Sequence, residues 1–407
     1  MPCNGQDSIQ QPERSEPPRS NSGPIQQIAA HSRLKSFRAR VYRLLWNNTQ
    51  VHKTPIKPIT LKELAAMLEL SQSTVSRIIN GEATAHRIAE ETQRRVLHAA
   101  ALNGYVANSV ARSLRQKRTY TVGVIVPEIS EGYSTAVISG IEDELLKDGY
   151  FYLVVSHRHR ADLLDGYPRM MLSRSVEGII AIDSPFDEEL PVPVVSVSGH
   201  KRRDGVINIE LDHEQAAHLA LSYLKSLGHK QIAFIKGQAF SSDTNLRWQA
   251  IEDEARKLEI CIDPRLVVQL QSPEPGPAPG IEVTRDLLQA KQPFSAIFAF
   301  NDVTAIGAII ALREAGLNVP QDVSVLGFDD IMAASTNYPP LTTIHQPLRA
   351  MGQAAASTLL RLIRDEIPHP HPSAITVYPR LVIRQSTGLA IEPNAMHKAR
   401  VAPVGLN

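Results

Sequence analysis

Residues 70–80 read Leu-Ser-Gln-Ser-Thr-Val-Ser-Arg-Ile-Ile-Asn, and Gly81 follows them. Val75 and Ile78 recur at the spacing that places apolar side chains on one face of a helix. Ser71 suits the position before the first turn, where its hydroxyl accepts a backbone N–H, and Gly81 suits the end, where glycine adopts a left-handed conformation without strain. The sequence therefore predicts a short helix between these two caps.

A companion helix is predicted just before this one. Thr60 and Glu63 stand three residues apart, the spacing of a capping box in which each side chain bonds the other residue's backbone N–H. The apolar residues of this segment share one face: Leu61, Leu64, Ala65 and Leu68. A third helix is expected over roughly 89–103, closed by Gly104. Two helices joined by a short turn and followed by a third form a helix-turn-helix arrangement.

The outer face of the second predicted helix is polar, and it presents Gln72, Ser73, Ser76 and Arg77. Amides, hydroxyls and guanidinium groups are the donors and acceptors that read base edges and phosphates in a major groove. Small three-helix domains that bind no DNA share this layout, so the pattern alone leaves both interpretations open.

The charge distribution divides the chain into a basic and an acidic part. Residues 33–118 hold 16 Lys and Arg against 5 Asp and Glu, whereas residues 119–407 hold 25 against 34. A local excess of positive charge is what a phosphate-binding module needs, although a solvated basic tail gives the same count. The net charge of +1 hides this asymmetry.

From Tyr120 onward, short apolar runs alternate with helical stretches. This alternation predicts an α/β fold with parallel sheets covered by helices, and the number of strands favours two doubly wound lobes. Ligands of such folds bind at the carboxyl ends of the strands, here in a cleft that the lobes share. The predicted strands include Val122–Val126, Tyr152–Val155, Gly178–Ile182, Val194–Val197, Ile232–Ile235, Ala296–Phe300 and Val323–Gly327.

Several protein classes are disfavoured. The N-terminus lacks the layout of a signal peptide and no apolar run approaches the roughly 18 residues of a membrane span, so we expect a cytoplasmic protein without a membrane partner. Cys3 and Cys261 are the only cysteines, which argues against a disulfide framework or a cysteine zinc site. The common nucleophile, phosphate-loop and dinucleotide motifs are missing, so an enzyme is not expected and no cofactor is implied.

Two histidine pairs stand in segments that we interpret as exposed loops. They are His157-Arg158-His159 and His369-Pro370-His371. A metal site would need further ligands at suitable spacing, so no metal is expected at either pair.

Residues 105–114 read Tyr-Val-Ala-Asn-Ser-Val-Ala-Arg-Ser-Leu. Together with residues 70–80 they closely resemble the headpiece and hinge of the lactose-repressor and galactose-repressor family, and the resemblance extends from about Ile59 to Thr387. It implies a sequence-specific transcriptional regulator, expected to repress. Its expected partners are a pseudo-palindromic double-stranded DNA operator, a small-molecule effector such as a sugar or sugar derivative, and a second copy in a homodimer.

The resemblance also assigns DNA contacts residue by residue. It implies that Gln72, Ser73 and Arg77 read bases, and that Ser71, Thr74 and Ser76 mainly meet phosphate. Residues 108–114 match a hinge helix that folds on DNA, with a leucine that wedges into the minor groove. The full expected set is Thr60, Ser71, Gln72, Ser73, Thr74, Ser76, Arg77, Asn80, Asn108, Ala111, Arg112 and Leu114.

Three departures from the family pattern occur near this module. The loop Gly81–Arg87 is longer than usual, Ala89 stands where a capping Ser is common, and Ala107 replaces a Pro. A missing cap costs about 1 kcal/mol, so we expect the fold to survive.

The same resemblance maps effector contacts onto Tyr133, Asp212, Arg247, Asn301, Asp302 and Asp329. Arg247 could instead form an ion pair within its lobe, and Asp302 could cap its helix. His345 is expected to be structural, and Gln271–Gly280 is expected to be a surface loop. The family residues around Tyr133 and at 198–200 differ here, so the identity of the ligand is not carried over.

The predicted organisation has five parts. They are a disordered, basic N-terminal extension (1–57), the helix-turn-helix domain (58–106), the hinge helix and linker (107–118), the two-lobed effector-binding and dimerisation domain (119–390), and a C-terminal tail (391–407). The tail contains no leucine heptads, which favours a dimer formed through the lobes.

Overall fold

The computed structural model describes residues 59–81, 85, 87–106, 113, 118–130, 132–185, 189–199, 203–368 and 372–391. They fall into two compact units, one within residues 1–109 and the other within residues 110–407. Some of the segments and residues on which predictions were made from the sequence lie outside the described residues. They are the N-terminal extension, nearly all of the C-terminal tail, the hinge residues Asn108, Ala111, Arg112 and Leu114, and the histidines His369 and His371.

The first unit contains three helices: α1 (Leu61–Met67), α2 (Gln72–Asn80) and α3 (Glu90–Leu102). The capping box of α1 is present, because Thr60 N–H donates to Glu63 Oε2 over 2.7 Å and Glu63 N–H donates to Thr60 Oγ1 over 3.2 Å. Gly81 ends α2 in the left-handed conformation. The three helices enclose one small apolar core built from Leu64, Ala65, Leu68, Val75, Ile78 and Val96.

The second unit alternates strands with helices, as the sequence predicts. Its strands are β1 (Thr121–Val126), β2 (Phe151–Ser156), β3 (Gly178–Ile182), β4 (Val194–Val197), β5 (Ile207–Leu211), β6 (Ile232–Lys236), β7 (Val267–Gln269), β8 (Ala296–Ala299), β9 (Ser324–Asp329), β10 (Thr342–His345), β11 (Ala374–Val377) and β12 (Arg380–Val382). Its helices are α4 (Gly132–Lys147), α5 (Ala161–Ser173), α6 (His213–Ser226), α7 (Ser242–Lys257), α8 (Ala278–Gln289), α9 (Asp302–Glu314), α10 (Met332–Thr336) and α11 (Leu348–Ile363).

These strands form two six-stranded sheets, one for each lobe. The first has the order β11-β5-β4-β3-β1-β2 and is parallel throughout. The second has the order β12-β10-β9-β8-β6-β7 and is parallel except where β12 pairs antiparallel with β10. Most strands of both sheets are nearly continuous runs of apolar residues, because helices cover the two faces of each sheet. The predicted α/β architecture is confirmed.

The chain passes between the lobes three times: from β5 to α6, from β10 to α11, and from β11 to β12. Helix α11 returns to the first lobe and packs on α4. The two helices approach closely because glycines face the contact. A Cβ at Gly140 would lie 1.9 Å from the carbonyl oxygen of Arg349, and one at Gly352 would lie 2.0 Å from that of Val137.

One predicted loop is shorter than expected. The sequence assigns all of Gln271–Gly280 to a surface loop, but α8 begins at Ala278. Proline at the first helical positions fixes the backbone angle that a helix needs, which explains why the turn-rich composition does not prevent helix formation. None of the helices within the described ranges combines the length and the apolar character needed to span a bilayer.

The start of α3 yields a stability prediction. Ala89 occupies the N-cap position and makes no side-chain hydrogen bond there. We expect Ala89→Ser to stabilise the first unit by about 1 kcal/mol, because the hydroxyl can accept a backbone N–H of the first turn. Hydrogen exchange of the Glu91 and Thr92 amides should slow about fivefold.

The matched control is Thr60→Ala, which removes an existing cap and should accelerate exchange in α1. Unchanged exchange at Glu91 and Thr92 in Ala89→Ser would contradict this account of the α3 start.

Candidate functional site

Helix α2 presents a polar surface because its apolar residues all turn inward. Val75 is fully buried and Ile78 is 5% exposed, whereas Gln72, Ser73 and Arg77 are exposed. The side chains of Gln72 and Arg77 make no hydrogen bond within the described part of the chain. An amide and a guanidinium therefore project into solvent from the same helix. Both groups can form paired hydrogen bonds with the edges of bases in a major groove.

The other predicted contacts of this unit take part in local hydrogen bonds. The Ser71 hydroxyl accepts the Thr74 N–H over 3.1 Å and lies 2.8 Å from the hydroxyls of both Ser73 and Thr74. The Asn80 side chain donates to the Ser76 hydroxyl over 3.1 Å. Thr60 is engaged in the capping box. These groups shape the surface around Gln72 and Arg77.

A pocket of about 850 Å³, including its open mouth, lies between the two lobes of the second unit. It forms where loops follow the carboxyl ends of β1 and β3 in the first lobe and of β6, β8 and β9 in the second. Four of the six predicted effector residues line it: Tyr133, Arg247, Asn301 and Asp329. Asp212 and Asp302 are not among the lining residues.

Arg247 is held rigidly in the wall of the pocket. Its guanidinium lies 3.7 Å from the ring centre of Phe328 and 4.5 Å from that of Phe300. It donates to the Phe300 carbonyl over 2.5 Å and to the Asp243 carboxylate over 2.8 Å. The ion pair considered from the sequence is therefore present, and the same residue also lines the pocket.

Asp329 ends β9 with its carboxyl group buried, and its backbone adopts a φ of 110°, a region that few residues other than glycine occupy. Gln346, which follows β10 at a lobe crossover, donates its side-chain N–H to Asp329 Oδ1 over 2.6 Å. Burial raises the pKa of Asp329 well above its usual range, and the nearby Arg247 only partly offsets this.

Asn301 and Asp302 have different roles at the start of α9. The Asn301 side chain accepts the Thr304 N–H over 2.8 Å and caps the helix, so the idea that Asp302 is the cap is wrong. Asp302 is fully buried behind the pocket and accepts from the Thr343 hydroxyl over 2.6 Å and from the Ile331 N–H over 2.9 Å. In the same way Asp212 caps α6 by accepting the Gln215 N–H.

Tyr133 lies at the start of α4, and its hydroxyl donates to the Ser198 hydroxyl over 2.8 Å. Burial and the charges of Asp243 and Asp183 raise the pKa of the phenol well above its usual range. The phenol therefore stays protonated and presents a fixed dipole to the pocket.

The expectation that His157 is an exposed loop residue is wrong. Its ring is 4% exposed, and Nδ1 accepts the His159 N–H while Nε2 lies 3.0 Å from the Ser184 hydroxyl. Burial, reinforced by His159, lowers the pKa of His157 to about 4. His159 itself is exposed, lines the pocket and stacks on Phe240 of the other lobe with ring centres 4.2 Å apart.

Several other residues line the pocket that were not expected from the sequence: Glu128, Asp183, Gln238, Phe240, Ser241, Asp243, Glu274 and Phe300. Glu128, Asp183 and Gln238 come just after the ends of β1, β3 and β6. The rule that ligands bind beyond the carboxyl ends of parallel strands could therefore have found them.

Comparisons with known proteins identify the family of this chain. Residues 221–387 match the family model described as a periplasmic binding protein-like domain. Over 339 residues the chain is 31% identical to the HTH-type transcriptional repressor PurR of Haemophilus influenzae, an alignment that covers 80% of this chain and 98% of that protein. This chain belongs to the lactose-repressor family. It is a transcriptional regulator and not an enzyme.

Solved structures of lactose-repressor family members are similar to most of this chain. The lac repressor dimer bound to operator and the anti-inducer ONPF has a TM-score of 0.72 and 26% identity, and the match covers 82% of this chain and 100% of that chain. The complex of the transcriptional regulator CelR with cellobiose has a TM-score of 0.60 and 26% identity, over 81% of this chain and 99% of that chain.

Asp302 yields a prediction on pH. Burial raises the pKa of this carboxyl from its usual 3.8 to about 7. Because the folded state binds the proton more tightly, this contribution to stability is present below pH 3.8 and is lost as the pH rises through 7. Relative to Asp302→Asn, the free energy of unfolding of the parent protein should therefore fall between pH 4 and pH 8, by at most about 4 kcal/mol.

Urea unfolding at several pH values measures this difference. Asp286→Asn, which removes a carboxylate from the exposed face of α8, is the control and should run parallel to the parent. If the curves of the parent and of Asp302→Asn are also parallel, Asp302 does not carry the buried proton.

Proposed function

We propose that this member of the lactose-repressor family is an operator-binding repressor whose affinity for DNA is set by a small polar effector in the interlobe pocket. The observation that carries the proposal is the surface of α2, which buries Val75 and Ile78 and leaves Gln72, Ser73 and Arg77 exposed. A helix of this kind docks in a major groove with its polar face toward the bases.

The residues divide into two roles in this proposal. Gln72, Ser73 and Arg77 read base edges, and Thr60, Ser71, Thr74, Ser76 and Asn80 contact phosphates or orient the reading residues. The segment with Asn108, Ala111, Arg112 and Leu114 forms a hinge helix on DNA, with Leu114 as the minor-groove wedge. The support for the hinge is the resemblance of its sequence to the family.

Two copies are needed to read a pseudo-palindromic operator, because each headpiece contacts one half-site. The lac repressor to which this chain is similar was solved as a dimer on its operator. We therefore propose a homodimer that acts in the cytoplasm, where the DNA is accessible.

The pocket is proposed to hold the effector. The solved structures to which this chain is similar include complexes with cellobiose and with ribose. Tyr133, Arg247, Asn301 and Asp329 would contact the ligand or shape its site. Asp212 and Asp302 would position the site without contacting the ligand. Asp212 caps α6, and Asp302 accepts the Ile331 N–H just after β9.

The entry of the chain into the first lobe supplies a route for coupling. Arg118, the last residue of the predicted linker, pairs with Glu177 over 2.9 Å and donates to the Tyr150 hydroxyl. The next backbone N–H groups, those of Thr119 and Tyr120, donate to the same Glu177 carboxylate. A movement of this lobe would therefore pull directly on the predicted hinge, as effector control requires.

The test uses an operator selected from a pool of random duplexes with the full chain. Gln72→Ala and Arg77→Ala should each lower the preference for that operator over random DNA at least about fivefold, because a good bidentate base contact contributes about 1–3 kcal/mol of discrimination. Fluorescence anisotropy at fixed salt gives both affinities.

Arg94→Ala is the matched control. It removes the same charge from α3, where Arg94 pairs with Glu91. We expect it to weaken binding to both DNAs equally and to leave the preference intact. A preference that survives in both α2 variants would show that α2 does not read the operator.

A further inference from the structure

Two aromatic side chains from different lobes meet at the rim of the interlobe pocket. His159 lies in the first-lobe loop between β2 and α5, and Phe240 lies in the second-lobe loop between β6 and α7. Their ring centres are 4.2 Å apart, and the ring planes are inclined by 41°. Both residues line the pocket and both are exposed to solvent, so the contact spans the pocket at its open side.

The contact lies at the end of the sheets that is opposite to the lobe crossovers. The strands that border the crossovers stand together at one edge of each sheet, β5 and β11 in the first and β10 and β12 in the second. His159 follows β2, at the other edge of the first sheet, and Phe240 follows β6, one strand from the other edge of the second. Because neighbouring strands are about 4.8 Å apart, four and three strand spacings place the contact roughly 14–19 Å from the crossovers.

This distance makes the ring contact sensitive to a rotation of one lobe against the other. A rotation of about 10° around the crossovers would move the two loops apart by roughly 3 Å. Aromatic pairs attract each other up to ring separations of about 7 Å, so such a rotation brings the two rings to the limit of their contact. The contact therefore stabilises this lobe arrangement and not a more open one.

The loop that carries His159 is fixed by contacts within its own lobe. Arg158 and His159 both adopt left-handed backbone conformations, with φ of 49° and 56°, which residues with a side chain rarely occupy. The buried His157 holds this turn, because its Nδ1 accepts the His159 N–H over 3.1 Å and its Nε2 lies 3.0 Å from the Ser184 hydroxyl. The Arg158 N–H donates to the Pro127 carbonyl over 2.9 Å and ties the turn to the end of β1. The His159 ring thus faces the second lobe from a constrained support.

A second interlobe contact lies beside the ring pair. The hydroxyl of Ser241, the residue after Phe240, donates to the Asp183 carboxylate over 3.4 Å, and Asp183 follows β3 of the first lobe. This hydrogen bond is weak, because O–H···O bonds are usually about 2.5–3.0 Å long. The stacked rings are therefore the stronger of the two contacts at this side of the pocket.

We propose that His159 and Phe240 form a latch that holds the two lobes together at the open side of the pocket. An effector enters or leaves when the two rings separate. Because the pair stabilises only the closed arrangement, its loss raises the open population, by about two- to tenfold for a contact of the strength that aromatic pairs have. This inference rests on the proposed function, which places the effector in this pocket and links its binding to the lobe arrangement.

Thiol labelling measures the opening without a ligand. Ser134, a pocket residue on α4 that is 3% exposed, is changed to Cys in the full chain after Cys3 and Cys261 have been replaced by Ser. Its rate of alkylation by iodoacetamide, followed by mass spectrometry, reports the open population when the lobes reclose faster than the thiol reacts. Phe240→Ala and His159→Ala should each raise this rate about two- to tenfold.

The double variant distinguishes a latch from a simple cover over the pocket. If the two rings act through their contact, the double variant should label at the rate of the single variants, because either change already removes the contact. If each ring only shields the pocket, the two increases multiply, and that result would overturn the proposal. Phe240→Tyr keeps the ring and should label at the parent rate.

Leu246→Ala is the matched control, because Leu246 lies in the same lobe and is as exposed as Phe240, at 45%. This change should leave the labelling rate of Ser134→Cys unaltered. A second reporter, Thr358→Cys, stands at a buried position of α11 that is not among the lining residues. An equal increase at this second reporter would show that Phe240→Ala loosens the fold as a whole, which would contradict the latch.

The outcomes separate this inference from the function on which it rests. Unchanged labelling in both Phe240→Ala and His159→Ala would refute the latch. Saturating amounts of the selected operator should change the labelling rate of the parent reporter, because any link between lobe arrangement and DNA binding is reciprocal. If the two variants label faster but the operator leaves the rate unchanged, the latch is supported and control of DNA binding through the lobe arrangement is wrong.

Discussion

The buried guanidinium of Arg247 constrains the second lobe around the pocket. Arg247 lies on α7, where it pairs with Asp243 one turn earlier, and it joins this helix to the ends of β8 and β9 through Phe300 and Phe328. Breaking a buried pair by removing one partner costs about 3–5 kcal/mol, because the other charge is left without compensation. The lining residues that β8 and β9 position, Asn301 and Asp329 among them, depend on this arrangement.

Asp329 and Gln346 extend the constraint to the junction of the lobes. Gln346 follows β10 at the point where the chain returns to the first lobe, and its side chain bonds the Asp329 carboxyl group at the pocket. On the opposite side of the first lobe, the Glu177 carboxylate accepts hydrogen bonds from residues 118–120, at the end of the predicted linker and just after it. Under the proposed effector control, a ligand that favours one lobe arrangement by roughly 1–3 kcal/mol would bias the geometry at residue 118.

The sequence predicted the elements whose signals are local. The Thr60–Glu63 capping box, the Gly81 stop and the uncapped Ala89 all appear as expected, because each depends on residues within one turn. It could not decide whether Arg247 forms an ion pair with another residue of its lobe or contacts the ligand, because an arginine suits either role. It also misplaced His157, which is buried and lies within hydrogen-bond distance of Ser184 from another strand end, and it missed Glu274, which lines the pocket from the loop between β7 and α8.

A double-mutant cycle on Asp243 and Arg247 tests whether the charge of Arg247 is balanced inside the pocket wall. The free energy of unfolding is measured for the full chain, Asp243→Asn, Arg247→Met and the double variant, by following the transition of the two-lobed unit in the absence of ligand. We predict a coupling energy of at least about 2 kcal/mol, because both groups are buried and in direct contact. A coupling below about 0.5 kcal/mol would show that Arg247 is not balanced within the wall and is available to the ligand.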